Sequence, residues 1–552
     1  MPQPNGGDLL VALLRDLGVD TVFGVVSVHN LPLVEAVDRD LRFVPVRHEA
    51  TAVNAADGHG RARGGLGCAL TSTGTGAGNA AGSLIESLST GSRVLHITGQ
   101  IDSAHLGAGR GFIHETRDQL GMLRAVSSHA ATVPDAASAG AVLRAAAAHA
   151  LGPAGGPASV EWPIDLQYAA QDPTALPAAP APAEPPLPAP AALDEAARLL
   201  AAARRPLLWA GGGATAAGPE LAALLAEVNA GLLTSNSGRG AVPEDHDRCV
   251  GNFATTPAGR ELLADADLLM SVGTHFRSNE TADWSLRLPA VHVQIDHDPA
   301  ALGRSYPAAL TLHGDAATTL TALRQRLAAA PSTGGRAADG AWTARVRDAR
   351  EEVRAALRDQ IGPQAAICDA IRAALPRTAV IARDVTVPAS SWGNRLLEIY
   401  APHTNVFPRG GGIGQGLGMG IGAALAHPDT PSLVMAGDGG LAVHLGELLT
   451  LAQERPRLTL VVFNDGGYGV LRNMQDRYFD RRSGVDLATP DFAALAHATG
   501  LPYARIAAPD DAAPILTAAT AGDGPTLVEV DLTALGPMKT PFTPPVALPA
   551  AR

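Results

Sequence analysis

The chain has little from which to build a covalent or membrane framework. Its 552 residues include three cysteines, Cys68, Cys249 and Cys368, scattered without ligand spacing. That excludes a disulfide framework and a zinc site, and it suggests a reducing, cytoplasmic compartment. No apolar run approaches the roughly 18 residues of a membrane span. The N-terminus, MPQPNGGDLL, lacks the basic and apolar regions of a secretion signal. Positive charge is in the minority, with 42 Lys and Arg against 54 Asp and Glu and a net charge of −12. Nucleic acid and anionic membrane are therefore poor partners.

What is present is length, glycine and short apolar runs. The chain is too long for one core, and three domains is the sensible expectation. Residues 1–170 alternate strands and helices: Phe43–Val46, a helix from Ala50, Gly67–Thr71, a glycine-rich turn from Ser72 to Asn79, then Arg93–Thr98. Such alternation is the signature of a doubly wound parallel sheet. Residues 171–190 form a Pro/Ala linker that should run extended. A central domain over 191–330 repeats strand-to-turn patterns at Gly211-Gly-Gly213, Gly273 and Asp296. A charged helical connector over 331–361 leads to a third domain over 362–552 with a Pro-rich tail. The fold class expected is α/β, with three doubly wound parallel-sheet domains.

Two turns in the third domain carry the most specific chemistry. Ser432–Ala436 reads as a buried strand ending in Gly437-Asp438-Gly439-Gly440. Leu441–Gln453 has helical spacing, and a second strand, Leu458–Phe463, ends in Asn464-Asp465-Gly466-Gly467-Tyr468-Gly469. Both turns thus fall at the carboxyl ends of neighbouring parallel strands, where open α/β sheets bind ligands. Asp438 and Asp465 are 27 residues apart, room for one helix and one strand. Two carboxylates supply hard oxygen ligands, glycines allow close backbone approach, and a helix start favours phosphate. Together they describe Mg²⁺ holding a diphosphate. Taken singly, each is an ordinary βα turn.

These turns resemble the motif of the thiamine diphosphate enzymes of the acetolactate synthase, benzoylformate decarboxylase and benzaldehyde lyase group. That motif is GDG, about 25 residues, then Asn-Asn, and this chain has Asp465 where the second Asn usually stands. The resemblance covers nearly the whole chain and names its domains pyrimidine-binding, central and diphosphate-binding. It implies Mg²⁺ held by Asp438, Asp465 and the Gly467 carbonyl, with Gly437, Gly439, Gly440, Tyr468 and Gly469 around the cofactor. Thr386 becomes a diphosphate candidate. Ile413 matches the apolar wedge between the two cofactor rings. Glu49, at a strand end in His48-Glu49-Ala50, matches the carboxylate that shares a proton with the aminopyrimidine; without the resemblance it reads as a helix-start surface residue. His29 and His114 are candidates for further proton transfers, and Ser72 falls where some relatives place a catalytic His.

The resemblance implies C–C bond cleavage or formation next to a carbonyl, on a 2-oxo acid, an acyloin or an aldehyde. It also implies a homodimer, often paired into a homotetramer, in which Glu49 of one subunit meets the diphosphate turns of another. FAD in the central domain is possible but not favoured. A non-catalytic relative acting as scaffold or regulatory subunit is the alternative. A nucleotide-dependent oxidoreductase is a further one, since the glycine run from Gly410 to Gly422 could be read as a dinucleotide loop.

Overall fold

The computed structural model describes residues 3–153, 155–180, 184–329 and 340–545. Residues 181–183 of the expected linker and 331–339 of the expected connector lie outside these. The described chain forms three six-stranded, parallel sheets. The first contains β1 (Thr21–Gly24), β2 (Arg42–Pro45), β3 (Gly67–Thr71), β4 (Val94–Gln100), β5 (His129–Thr132) and β6 (Ala158–Pro163). The second contains β7 (Pro206–Ala210), β8 (Gly231–Thr234), β9 (Cys249–Gly251), β10 (Leu268–Val272), β11 (Val291–Asp296) and β12 (Leu310–His313). The third contains β13 (Ile381–Arg383), β14 (Asn405–Val406), β15 (Ser432–Gly437), β16 (Leu458–Asn464), β17 (Tyr503–Ile506) and β18 (Thr526–Asp531).

The outer sheets share one topology. Their orders are β2-β1-β3-β4-β6-β5 and β14-β13-β15-β16-β18-β17, so each strand has a counterpart in the other sheet. In both, the chain reverses direction across the sheet beside the first strand, and the crevice at such a switch point is where open sheets bind ligands. The central order, β12-β11-β10-β7-β8-β9, is that of dinucleotide-binding sheets. Order alone does not assign a ligand. Interior strands such as β3 and β15 are buried along their whole length, as sheets covered on both faces require.

Two helices fix how the outer domains sit together. Glu49–Arg63 and Gly416–Ala426 cross so closely that a Cβ on Gly58 would lie 2.0 Å from the Met419 carbonyl oxygen. One on Gly422 would lie 1.9 Å from that of Ala55. The alternate glycines of this run are filled by protein: Gly416 faces Asp384, Gly418 faces Asn54 and Gly420 faces Val434. They serve helix packing, which accounts for the run without a dinucleotide. The helix Gly340–Ile361 buries Trp342, Val346, Ala349, Val353, Leu357 and Ile361 on one face, joining the central and C-terminal cores.

One element differs from expectation. The helix read over Leu441–Gln453 is broken into a short helix Asp438–Leu441, a 3-10 turn Ala442–His444 and a helix Glu447–Glu454. The loop carrying Ile413 crosses at the break, with Gly414 against Val443 and the Gly440 carbonyl. The first helical turn therefore begins at Asp438 itself and is only four residues long. Its dipole is weaker than a full helix would supply.

Candidate active site

The third sheet brings the two acidic turns together. β15 pairs with β16 so that Gly437 is opposite Phe463, which sets Asp438 beside the Asn464-Asp465 turn. Asp438 is buried, and its Oδ2 accepts the Gly467 amide at 2.7 Å. Burial raises its carboxyl above the ordinary value, against the pull of the Gly439 and Gly467 amides. Asp465 is pushed up to about 6 by burial and by the charge of Asp438, with Arg472 opposing. Two carboxylates held together, one buried and one half-buried, are short of positive charge.

Glycine makes the crevice. A Cβ on Gly469 would lie 1.9 Å from Asp465 Oδ2. One on Gly439 would strike the Tyr468 ring at 2.8 Å and sit 3.1 Å from the Gly467 carbonyl oxygen. Gly467 takes φ 144° with Val485 across from it, a conformation open to glycine. Thr386 faces the same turn, its Oγ1 3.0 Å from where a Gly437 Cβ would stand. Ile413 projects from its loop with 38% of its surface exposed, and its neighbour Gly414 touches Val443.

The first sheet brings together the other expected residues. Glu49 opens the helix Glu49–Arg63, which is capped by His48 through Nδ1 and the Ala50 amide. Its carboxylate is half-buried and accepts from Asn79 Nδ2 at 3.0 Å. Across the β3 turn, a Cβ on Gly76 would meet both Ser72 and Glu49 Oε1. On Gly74 it would meet His114. His114 is in the left-handed region at φ 66°, so the loop holds it there under strain. Its ring stands perpendicular to that of His29, with centroids 5.4 Å apart. His29 is buried, its Nδ1 has no protein partner, and burial beside His114 lowers its basicity. The Ser72 hydroxyl is likewise buried without a partner. Thus Glu49, His29, Ser72 and His114 cluster around the ends of β1 to β4, with unsatisfied polar atoms that call for a ligand or water.

The structure adds residues that sequence reading missed. Asp384, just past β13, is pushed up to about 6 by burial, and it accepts the Gly414 and Gly416 amides at 3.1 and 3.2 Å. It thereby holds the ends of the loop around Ile413. A carboxylate at a strand end was the available signal. Glu447, buried, accepts the Arg47 amide at 3.1 Å and so ties the strand end before Glu49 to the helix after the Asp438 turn. His48 and His444 meet alongside, with centroids 5.1 Å apart. The tail is docked on the helix Gly469–Tyr478, through Asn473 to Phe542 and Arg477 to Thr543.

The donor set fits a cofactor of this kind. Two carboxylates and a carbonyl are hard oxygen ligands suited to Mg²⁺, and the glycines let the two turns pack closely around them. The three parallel sheets, with acidic glycine turns at strand ends of the third, are the architecture of a three-domain α/β enzyme. The chain belongs to the thiamine pyrophosphate enzyme family, pyrophosphate being another name for the diphosphate. Residues 4–122 match the model of its N-terminal TPP binding domain, 193–323 its central domain and 388–530 its C-terminal TPP binding domain. A probable 2-ketoarginine decarboxylase, AruI, of Pseudomonas aeruginosa is 36% identical over 534 residues, covering 95% of this chain and 94% of the relative. The acetolactate synthase isozyme 2 large subunit of Escherichia coli is 28% identical over 562 residues, covering 98% of each chain. A probable acetolactate synthase large subunit of Methanocaldococcus jannaschii is 27% identical over 552 residues, covering 95% of this chain and 91% of the relative. The protein is a thiamine diphosphate-dependent enzyme of the decarboxylase and carboligase kind. Among the described residues, no helix is long and apolar enough to cross a membrane.

Proposed function

We propose that this enzyme decarboxylates a 2-oxo acid in the cytoplasm, as a homodimer or homotetramer, using thiamine diphosphate and Mg²⁺. The observation that carries the reading is the pairing of buried Asp438 with half-buried Asp465 at neighbouring strand ends of the third sheet, with Glu49 at the matching switch point of the first. Asp438, Asp465 and the Gly467 carbonyl would hold the cation. Thr386, Gly437, Gly439, Gly440, Tyr468 and Gly469 would leave room for the diphosphate, and Ile413 would support the cofactor between its rings. Glu49 would hold a proton at the pyrimidine N1′. When bound, thiamine diphosphate supplies a carbon nucleophile for the substrate carbonyl and a sink for the electron pair released with CO₂.

His29 and His114 would handle protons at the substrate. His29, with lowered basicity and a free Nδ1, is neutral at neutral pH and can accept one. The central domain serves as a spacer in this reading. Arg409 Nη2 comes within 3.0 Å of a Gly212 Cβ position, beside the first glycine turn. The three free, buried cysteines accord with a reducing compartment.

The name of the 36% identical relative puts 2-ketoarginine first among substrates to try, followed by pyruvate and benzoylformate. Incubation with thiamine diphosphate and Mg²⁺, with products identified by mass spectrometry, should show CO₂ loss from a 2-oxo acid. Asp438→Ala should abolish both turnover and thermal stabilisation by the cofactor with Mg²⁺. Stabilisation that survives in this variant would rule out the cation site.

A further inference from the structure

Asp465 places a second carboxylate where a neutral amide would already supply an oxygen, and the structure shows what accompanies it. Arg472 lies one turn into the helix Gly469–Tyr478, largely buried, with 13% of its side chain exposed. Its Nη1 donates to the Asp465 carbonyl at 3.0 Å and its Nη2 to the Gly466 carbonyl at 3.1 Å. The same Nη1 is 3.8 Å from Asp465 Oδ1. On the far side, Nε donates to Asp486 Oδ1 at 2.8 Å. Asp486 in turn bridges to Gly467 through the backbone, while the Leu487 amide bonds to the Gly466 carbonyl at 3.0 Å. One guanidinium therefore touches both the charge and the backbone of the turn. Arg482 also approaches Asp486, at 3.8 Å, although its closer partner is Asp476, at 2.7 Å, so Arg472 is shared between Asp486 and the nearby Asp465.

We propose that Arg472 is a positioning residue that balances the charge of Asp465, so that the Asp438–Asp465 crevice stays assembled when no cation is in it. The proposal rests on the reading that Asp438, Asp465 and Gly467 hold the cation. Without Arg472, the two carboxylates repel in a low-dielectric crevice and the turn loosens. With Arg472, repulsion is offset, and the cation binds a preformed site at the cost of some attraction. The sign of that last effect separates charge balance from simple scaffolding. Removing a positive charge beside a cation site strengthens cation binding, whereas removing a scaffold weakens it.

The experiment titrates Mn²⁺ into the full-length protein with saturating thiamine diphosphate, read by water-proton relaxation. Unfolding temperature without any divalent cation is measured alongside. Arg472→Gln should bind Mn²⁺ about three- to tenfold tighter than wild type and unfold at a lower temperature without cation. Asp465→Asn should bind it more weakly. Combining the two should return affinity towards wild type and recover the part of the lost stability that came from unbalanced charge at Asp465, leaving the part due to the lost bonds to the Asp465 and Gly466 carbonyls and to Asp486. Arg472→Lys, which keeps the charge and loses the fork, should keep wild-type affinity. If Arg472→Gln cannot be purified folded, the double variant should still fold, and failure of both overturns the proposal. Weaker Mn²⁺ binding in Arg472→Gln, with the same stability loss whether residue 465 is Asp or Asn, overturns it as well. A wild type that binds no Mn²⁺, or an Asp438→Ala variant that binds it normally, would instead overturn the cation site and this proposal with it.

Discussion

At the scale of single residues, Glu49 and the acidic turns have separable tasks. The Glu49 side chain hydrogen-bonds only to Asn79 among the described residues, and a glutamine there keeps an oxygen for that contact. Glu49→Gln should therefore leave the fold and most cofactor affinity intact. It should slow exchange of the cofactor C2 proton with deuterium by ~10²–10⁴-fold, the usual contribution of a positioned acid or base. Quenched-flow exchange followed by proton NMR measures this directly. Wild-type exchange in the variant would reduce Glu49 to a helix-start carboxylate. Asp438 and Asp465 were legible in the sequence because each lies between a strand and glycines, in contiguous turns. Arg472, Asp384 and Glu447 were not. Their meaning comes from contacts made elsewhere, in the case of Glu447 with a backbone amide 400 residues away.

At the scale of elements, the crossing of Glu49–Arg63 and Gly416–Ala426 carries much of the geometry. The first helix begins with Glu49, and the second follows the loop of Ile413, so their spacing sets where one subunit presents Glu49 and Ile413 to the two shared sites of the proposed dimer. Gly422→Ala would drive a methyl towards the Ala55 carbonyl oxygen from an ideal Cβ position only 1.9 Å away. Backbone cannot yield as a flexible side chain can, so the helices must separate. A loss of roughly 1–3 kcal/mol, the usual range for overpacking, should appear in denaturant unfolding, together with weaker cofactor binding. Unchanged stability would show that the crossing is looser than described. The alternating glycines were visible in the sequence without revealing the helix or its partner, which is why the run was open to a dinucleotide reading.

At the scale of the molecule, large apolar side chains remain uncovered around the site. Val28, Ile113 and Phe479 are 61, 65 and 61% exposed, and Val26, Ile85 and Leu471 are close behind. Exposed apolar groups of this size, on the loops and helices that flank the proposed cofactor residues, fit a face covered by a second copy. Light scattering should give a mass of two or four times the 56.3 kDa chain, and Phe479→Asp should shift it downward with loss of cofactor binding. A monomer that binds thiamine diphosphate as tightly as the assembly would refute a shared site.

The sequence by itself determined the α/β class, the doubly wound sheets and the acidic glycine turns. All of these depend on local patterns: short apolar runs bounded by glycine, and side chains adjacent in the chain. It also carried the resemblance that led to the family. The identical strand order of the outer sheets, the break after Asp438, the pairing of His29 with His114 and the grip of Arg472 were decided only in three dimensions. Each depends on which surfaces meet after the chain has crossed the sheet several times, and local composition does not encode that. Physically, a strand end states that a ligand crevice exists; the neighbours brought against it decide the charge, burial and order of the groups that line it.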